Sequence, residues 1–416
     1  MSQREDRIKN KIRARSVEEI QEEIGILRAR VDYTPELDWF LDLLAAGADS
    51  AVIAERVGRP VAAVLCLQAP LELFHACGVH PFKVFGGSQT SPRLSGPSLP
   101  AVMCPMLRSA LGLLMLNRDG SASAPAADSD WAGWVIPTTC DWVVKFPEMM
   151  SACGCPITSP VHMMELPHLK DRPGGQSRWL EEVYALRDFL VSLSGKKPDR
   201  KQLLASMQVY QEAWSAFSEL TELKREGRLP ALWFSIITNA FFYDNVECWT
   251  EHTRAVSAKF KSAEPAGKGV FLAGSPIFFP NLKILHLLED AGLNPVADDL
   301  CSSERLFPGA VFCDDPSEHG MLKAMAQRYH QGCLCPTFAD NDRRVNNIIS
   351  PANKGLFGGV VFQVLKGCHP FDLESLSLEQ RLKGEGLKYI KLETDYTAED
   401  SQNLLTRLEA YRSTLD

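Results

Sequence analysis

The sequence is short of the signatures that name a chemistry outright. It has no G-x-x-x-x-G-K-[ST] loop, and no G-x-G-x-x-G follows a strand-like stretch. Both phosphate-cradling turns are therefore absent, and with them a P-loop nucleotide site. H-E-x-x-H and C-x-x-C are also missing, which removes the helix-borne zinc protease site, the zinc ribbon and the thioredoxin-type pair. Positive charge is in deficit: 44 Lys and Arg stand against 52 Asp and Glu, a net charge of −8. A surface that neutralises phosphates needs the opposite balance, so nucleic acid is excluded as a partner. No apolar run is long enough to span a bilayer. The N-terminal MSQREDRIKNKIRARS is charged and lacks the apolar stretch of a secretion signal. The expectation is a cytoplasmic chain with no membrane partner.

What is present is cysteine, 12 residues in 416. In a reducing compartment, clustered thiols point to metal or redox use rather than to disulfides. Cys248 and Cys313 belong to no motif and read as small buried hydrophobes. The C-x-C pairs, Cys153/Cys155 and Cys333/Cys335, are too closely spaced for a zinc knuckle.

Periodicity divides the chain. Val17, Ile20, Ile24, Leu27 and Val31 share one helical face, and 36–57 continues as helix. Residues 1–60 are thus an N-terminal helical segment, a cap or a partner surface. Strand-like stretches at 82–85, 132–136 and 161–166 alternate with helical ones, giving a first α/β domain over 61–175. The Ser/Ala/Asp-rich 117–130 reads as an exposed loop or frayed helix start. A long helical stretch, 177–227, opens a connecting region over 176–265. A second α/β domain, 266–416, holds strands at 269–276, 294–297, 359–365 and 387–392, and helices at 280–291 and 400–414. Such alternation implies two Rossmann/flavodoxin-like parallel sheets, flanked by helices, with a cleft between them.

Three cysteines sit at equivalent places in this pattern. Cys104-Pro105, Cys140-Asp141 and Cys368-His369 each follow a stretch that reads as a strand and open a helix. Pro at the first helical position sacrifices no hydrogen bond. The carboxyl end of a strand is where α/β sheets bind ligands, and helix N-termini favour thiolate, the metal-binding form. Three converging thiolates would hold an iron–sulfur cubane and leave one iron open. Any one of them alone could be a packed thiol.

With these motifs the chain resembles the iron–sulfur subunits of the 2-hydroxyacyl-CoA dehydratase and benzoyl-CoA reductase superfamily. The resemblance runs from about residue 60 to the C-terminus. It includes APLELFHACGVHP (69–81), GSPIFFPNLKILHLLEDAGLNPVADDLC (274–301) and LETDYTAEDSQNLLTRLEAY (392–411). It implies that Cys104, Cys140 and Cys368 ligate a 4Fe–4S cluster in the cleft. It implies an enzyme, an ATP-dependent low-potential reductase or (R)-2-hydroxyacyl-CoA dehydratase. A separate ATP-hydrolysing iron–sulfur activator would deliver single electrons, and an acyl-CoA or other hard-to-reduce substrate would receive them. Pairing as a homodimer or with a related subunit follows, as does an alternative role as a non-catalytic electron-transfer subunit.

Four further thiols resemble those of the double-cubane branch, whose members reduce small molecules. These are Cys66, Cys301, Cys333 and Cys335, of which Cys66, Cys301 and one of the C-x-C pair would form a second triad. The ordinary alternative is a set of buried thiols beside the cleft. That branch carries another Cys-Pro between the first two motifs, and 117–130 has no cysteine. His369, next to a ligand cysteine, is placed to tune the cluster by a hydrogen bond, or is a helix-start residue with no role. Arg305, Arg343 and Arg344 are candidates for coenzyme A phosphates, with surface pairing as the ordinary alternative.

Overall fold

The computed structural model describes residues 3–47, 49–95, 99–100, 102–117, 131–170, 172, 174–265 and 267–415. Its frame is two parallel sheets. β1 (Val61–Val64), β2 (His80–Lys83), β3 (Gly133–Pro137) and β4 (Val161–Met164) lie in the order β2-β1-β3-β4. β5 (Lys268–Gly274), β6 (Leu293–Asp298), β7 (Gly359–Leu365) and β8 (Lys388–Thr394) lie in the order β6-β5-β7-β8. Every pairing is parallel, so the two halves share one winding. The fold is α/β with two Rossmann/flavodoxin-like units and an N-terminal helix.

Helices on both faces explain the strand composition. β1, β3 and β7 are buried along their whole length, as strands covered on both sides must be. The edge strands β4 and β8 alternate with exposed positions instead. The helix Lys283–Asp290 buries Ile284, Leu285, Leu287 and Leu288 on one face, each contributing about 1.5–3 kcal/mol. Among the described residues no helix is long and apolar enough to cross a membrane.

Local chemistry breaks three stretches that periodicity alone runs together. The expected helix at 36–57 divides at Gly47, and Asp49 caps its second part by accepting from the amides of Ala51 and Val52. The stretch 177–227 is two helices, Gly175–Ser194 and Arg200–Arg225. Gly195 takes the left-handed conformation that ends the first, and Asp199 with Gln202 forms a capping box for the second. The N-terminal helix ends at Arg28, so Val31 lies beyond it, fully exposed. Val17 is exposed as well, and the buried contacts of that face are Ile24 and Leu27.

Two of the cysteine expectations are also corrected. Cys104 opens a helix, Pro105–Asn117, but follows a turn in which the Met103 amide donates to Pro100 O, not a strand. Pro100 has no N–H to give a ladder. Cys248 is exposed, because the helix Val246–Phe260 turns Val246, Trp249 and Thr250 inward and leaves position 248 outside. Cys313 is half-buried, its thiol donating to Asp315 O at 2.7 Å. All but residue 117 of the 117–130 stretch lies outside the described residues.

Candidate metal centres

In both sheets the chain leaves the first strand on one side and returns on the other, so the crevice opens at the carboxyl ends of β1 and β3, and of β5 and β7. Cys66 and Cys140 follow β1 and β3. Ser275 and Cys368 follow β5 and β7. Cys104 is brought to the same place from the helix Pro105–Asn117. Cys104, Cys140 and Cys368 meet there, and three contacts hold their loops together.

Gly367 is the keystone. Its φ is +82°, and a Cβ at this position would overlap the Val102 carbonyl oxygen and stand 3.2 Å from the Cys104 amide nitrogen. Only a glycine allows this approach in this conformation. Trp142, two residues after Cys140, donates its indole N–H to Gly367 O at 3.0 Å. The backbones around all three cysteines are thereby locked to one another. The buried Ser275 hydroxyl ties the end of β7 to β5 by accepting from the Leu365 amide at 3.0 Å, and also acts on the Cys368 sulfur.

The three sulfurs sense one another. Cys104 and Cys368 act on each other, which holds Cys104 below the ordinary thiol pKa and drives Cys368 well above it. Burial lifts Cys140 to about 11, opposed by the Val143 and Trp142 amides and reinforced by Cys368. Amides of Leu107 and Met106 face Cys104, and that of Phe371 faces Cys368. No full capping bond closes at Cys140 or Cys368, but the helix-start N–H groups favour thiolate at each. No Lys or Arg is among the principal influences on these three sulfurs.

Burial, and then Cys104 and Cys368, disfavour ionisation of Tyr396, just past β8. It is buried, and its hydroxyl has no hydrogen-bond partner among the described residues. It stands in the LETDY stretch, whose pattern carries the family resemblance without revealing this role. His369 is exposed, its ring 6.0 Å from that of Trp142.

Beside this group lies a second. Cys301 and Cys335 act electrostatically on both Cys66 and Cys333, Cys301 acts on Cys335, and Cys140 acts on Cys66. Thr139 joins the two groups: its hydroxyl is 3.2 Å from the Cys66 sulfur, and Cys140 is the next residue. Cys66 is the only non-glycine with positive φ, +78°, among the described residues. That conformation costs about 1–2 kcal/mol and is typical of sites where function fixes the backbone.

Charge builds the rest of this second group. The fully buried Lys224 pairs with Asp298 and, at 2.8 Å, with Glu304. Asp298 accepts from the Leu300 and Glu304 amides and so shapes the loop that presents Cys301. Lys83 donates to Cys301 O at 3.1 Å and lies over the rings of Phe85 and Phe278. Lys170 donates to Cys333 O, and Arg305 to Leu334 O and Asp299 O. Gln68 reaches the Cys333 sulfur at 3.6 Å. Burial raises Cys66 far above the thiol range, Cys333 to about 12 and Cys335 less, with Arg305 pulling the last two back. The second nitrogen of the Arg305 fork is buried without a partner.

The remaining candidates fall elsewhere. Arg344 is enclosed with Asp299, at 2.5 Å, and Glu374, which removes it as a coenzyme A contact. Arg343 donates to Gln331 O at 2.8 Å. His75 bonds Ser206 and Glu247, and His80 bonds Phe242 O, so both are satisfied structural residues. Cys77 is buried near Arg187 and Asp188, and Cys153 near Cys155. None of the twelve cysteines is in a disulfide.

No three His, Cys, Asp or Glu side chains among the described residues stand close enough to grip a single metal ion. Ligands of one zinc lie about 2.3 Å from it and crowd together. Cysteines of a cubane bind different irons and stand further apart, so this spacing bears on a lone ion and not on a cluster.

Comparison with known proteins gives a consistent result. The sequence profile described as 2-hydroxyglutaryl-CoA dehydratase, D-component, matches residues 66–415. A candidate dehydratase subunit of Escherichia coli (strain K12), YjiM, is 23% identical over 386 residues, covering 90% of this chain and 96% of that protein. The (R)-phenyllactyl-CoA dehydratase beta subunit of Clostridium sporogenes is 22% identical over 87% of this chain and 93% of its own. A benzoyl-CoA reductase subunit of Thauera aromatica is 23% identical over 80% and 84%.

Proposed function

The chain belongs to the 2-hydroxyglutaryl-CoA dehydratase D-component family, and from that premise we propose that it is the iron–sulfur component of a reductase or dehydratase acting on acyl-CoA thioesters. Cys104, Cys140 and Cys368 would hold a 4Fe–4S cluster. The observation that carries this reading is the meeting of these three thiols at three helix starts, on loops locked by Gly367. The donor set fits: three sulfurs in a largely buried crevice, faced by backbone N–H groups. When bound, such a cluster supplies one-electron transfer at low potential.

This chain's residues do the rest. The amides of Leu107, Val143 and Phe371 favour anionic sulfur, and Ser275 holds the β5–β7 crevice around Cys368. Cys104 is buried, and Cys140 and Cys368 are half-buried. The lack of a P-loop agrees with the division of labour that the family resemblance implies, in which a separate ATP-hydrolysing activator passes electrons in. Relatives named as subunits support a partner, a second copy or a related chain. An accessory electron-transfer role uses the same centre without substrate.

A second reading is favoured by the strained Cys66 and the cations around it. Cys66, Cys301 and either Cys333 or Cys335 would hold a second cubane, as in the double-cubane branch.

Iron and acid-labile sulfide on anaerobically purified protein test both readings. About four irons per chain support one cubane and about eight support two. Zinc without iron sinks both. Cys140→Ala is expected to strip the first cluster, and unchanged iron and visible spectrum in that variant would contradict the assignment. Turnover of acyl-CoA with activator, ATP and reductant then separates the enzyme from the accessory role.

A further inference from the structure

We infer that Tyr396 is a positioning residue that donates its phenolic O–H as a hydrogen bond into the iron–sulfur centre of Cys104, Cys140 and Cys368, biasing that centre toward its reduced form. This deepens the reading above and rests on it.

The first observation is the orphaned oxygen. Tyr396 is only 6% exposed, and its hydroxyl has no partner among the described residues. A buried hydroxyl normally finds one, because leaving it unpaired forfeits the bond it had with water. A buried phenol with no partner among the described residues, on the turn beside that of Cys368, marks the place of an acceptor that those residues do not supply.

The second observation is that the residue is held there by a dedicated clamp. The Lys283 ammonium, at the start of the helix Lys283–Asp290, lies within hydrogen-bond reach of four oxygens that share its three hydrogens: Thr394 Oγ1 and Asp395 O at 2.8 Å, Thr397 O at 2.6 Å and Asp400 Oδ1 at 2.7 Å. Asn281 donates to Tyr396 O at 2.9 Å. Thr397 folds back on Asp395 through its amide and its hydroxyl. The backbone on both sides of Tyr396 is therefore fixed.

The third is placement. β7 and β8 pair to their carboxyl ends, Leu365 beside Thr394, and the Lys366 amide donates to Thr394 O at 2.8 Å, so the turn that carries Tyr396 leaves the sheet beside the one that carries Cys368. Hydrogen bonds to cluster sulfur stabilise the more negative, reduced state and so raise the potential. At this centre no Lys or Arg is a principal influence on the sulfurs; the Ser275 hydroxyl serves Cys368, and the phenol is a further neutral side-chain donor.

The test is Tyr396→Phe in the full chain, purified anaerobically. It keeps the ring and removes only the hydroxyl. Iron, sulfide and the thermal midpoint are expected to match wild type. The potential, read from the electron paramagnetic resonance signal in a redox titration, is expected to move negative. The shift should be a few-fold to about tenfold in the ratio of reduced to oxidised centre at fixed potential, tenfold being about 59 mV for one electron. In wild-type protein, exchange into D2O is expected to shift the iron–sulfur stretching bands, and that shift should vanish in the variant. A variant with full iron and the wild-type potential overturns the inference. So does a folded variant that loses its iron, since a hydrogen-bond donor is not a ligand. Wild-type bands unmoved by D2O overturn it without any variant. Wild-type protein devoid of iron instead sinks the functional reading, and this inference falls with it.

Discussion

The two groups of thiols stand side by side, yet the protein prepares them by opposite means. Around Cys104, Cys140 and Cys368 negative charge is met by backbone N–H groups at helix starts. Around Cys66, Cys301, Cys333 and Cys335 it is met by whole cations, Lys83, Lys170 and Arg305. The first group owes its geometry to close packing at a glycine, the second to ion pairs and one strained residue. Dipoles fixed in the backbone cannot be removed by mutating a side chain, whereas cations can. The groups are therefore separable, and each can be perturbed while the other serves as the control.

The largest effect is expected at the keystone. Gly367→Ala places a Cβ on the Val102 carbonyl oxygen and puts alanine at a φ of +82°. Strain and overlap together should cost about 3 kcal/mol. Gly386 has a similar φ of +75° with open space around it. Gly386→Ala should cost about 1 kcal/mol. Denaturant unfolding of the two variants checks this. The Gly367 variant should also lose iron from the first group and spare the second. Equal destabilisation by both substitutions would mean that the loops do not depend on that close approach.

A smaller change separates strain from purpose at the second group. Cys66 holds a conformation that glycine adopts freely. Cys66→Gly should stabilise the metal-free protein by about 1 kcal/mol, because the strain disappears. The same change should abolish metal binding by the second group. A residue kept only for packing would show the reverse, a loss of stability with unchanged metal content. Calorimetry on metal-free protein and metal analysis on the loaded form give the two readings.

What could be read in advance follows from the range of the forces involved. The sites of Cys140 and Cys368 are local: a strand end, a helix start and the cysteine between them lie within a few residues. Cys104 was legible only in part, since its Pro105 announces the helix while the preceding turn depends on Pro100. The break at Gly195 and Asp199 was written in the sequence as a stop and a cap, but helical spacing on both sides concealed it. Gly367, Lys83 and Tyr396 could not be found that way. Each acts on a partner that is remote in sequence, Gly367 on Val102 and Lys83 on Cys301, so only the folded chain reveals it.

The finest discrimination between the groups comes from Lys83. Its ammonium is buried and pushed below the usual lysine pKa by that burial, so it is a cost to the fold as well as a partner to Cys301 O. Lys83→Met keeps the length of the chain and its contact with Phe85 and Phe278. The lost bond and the relieved desolvation oppose each other, and stability should move by less than about 1 kcal/mol. The charge is not replaced, however, and Lys83 acts on Cys66 and Cys335. In metal-free protein the alkylation of these two thiols should slow a few-fold, because thiolate is the reacting form. Cys140, faced by amides rather than by lysine, should react as before. Equal slowing at Cys140 would show one shared field over all the sulfurs and erase the distinction between the two groups.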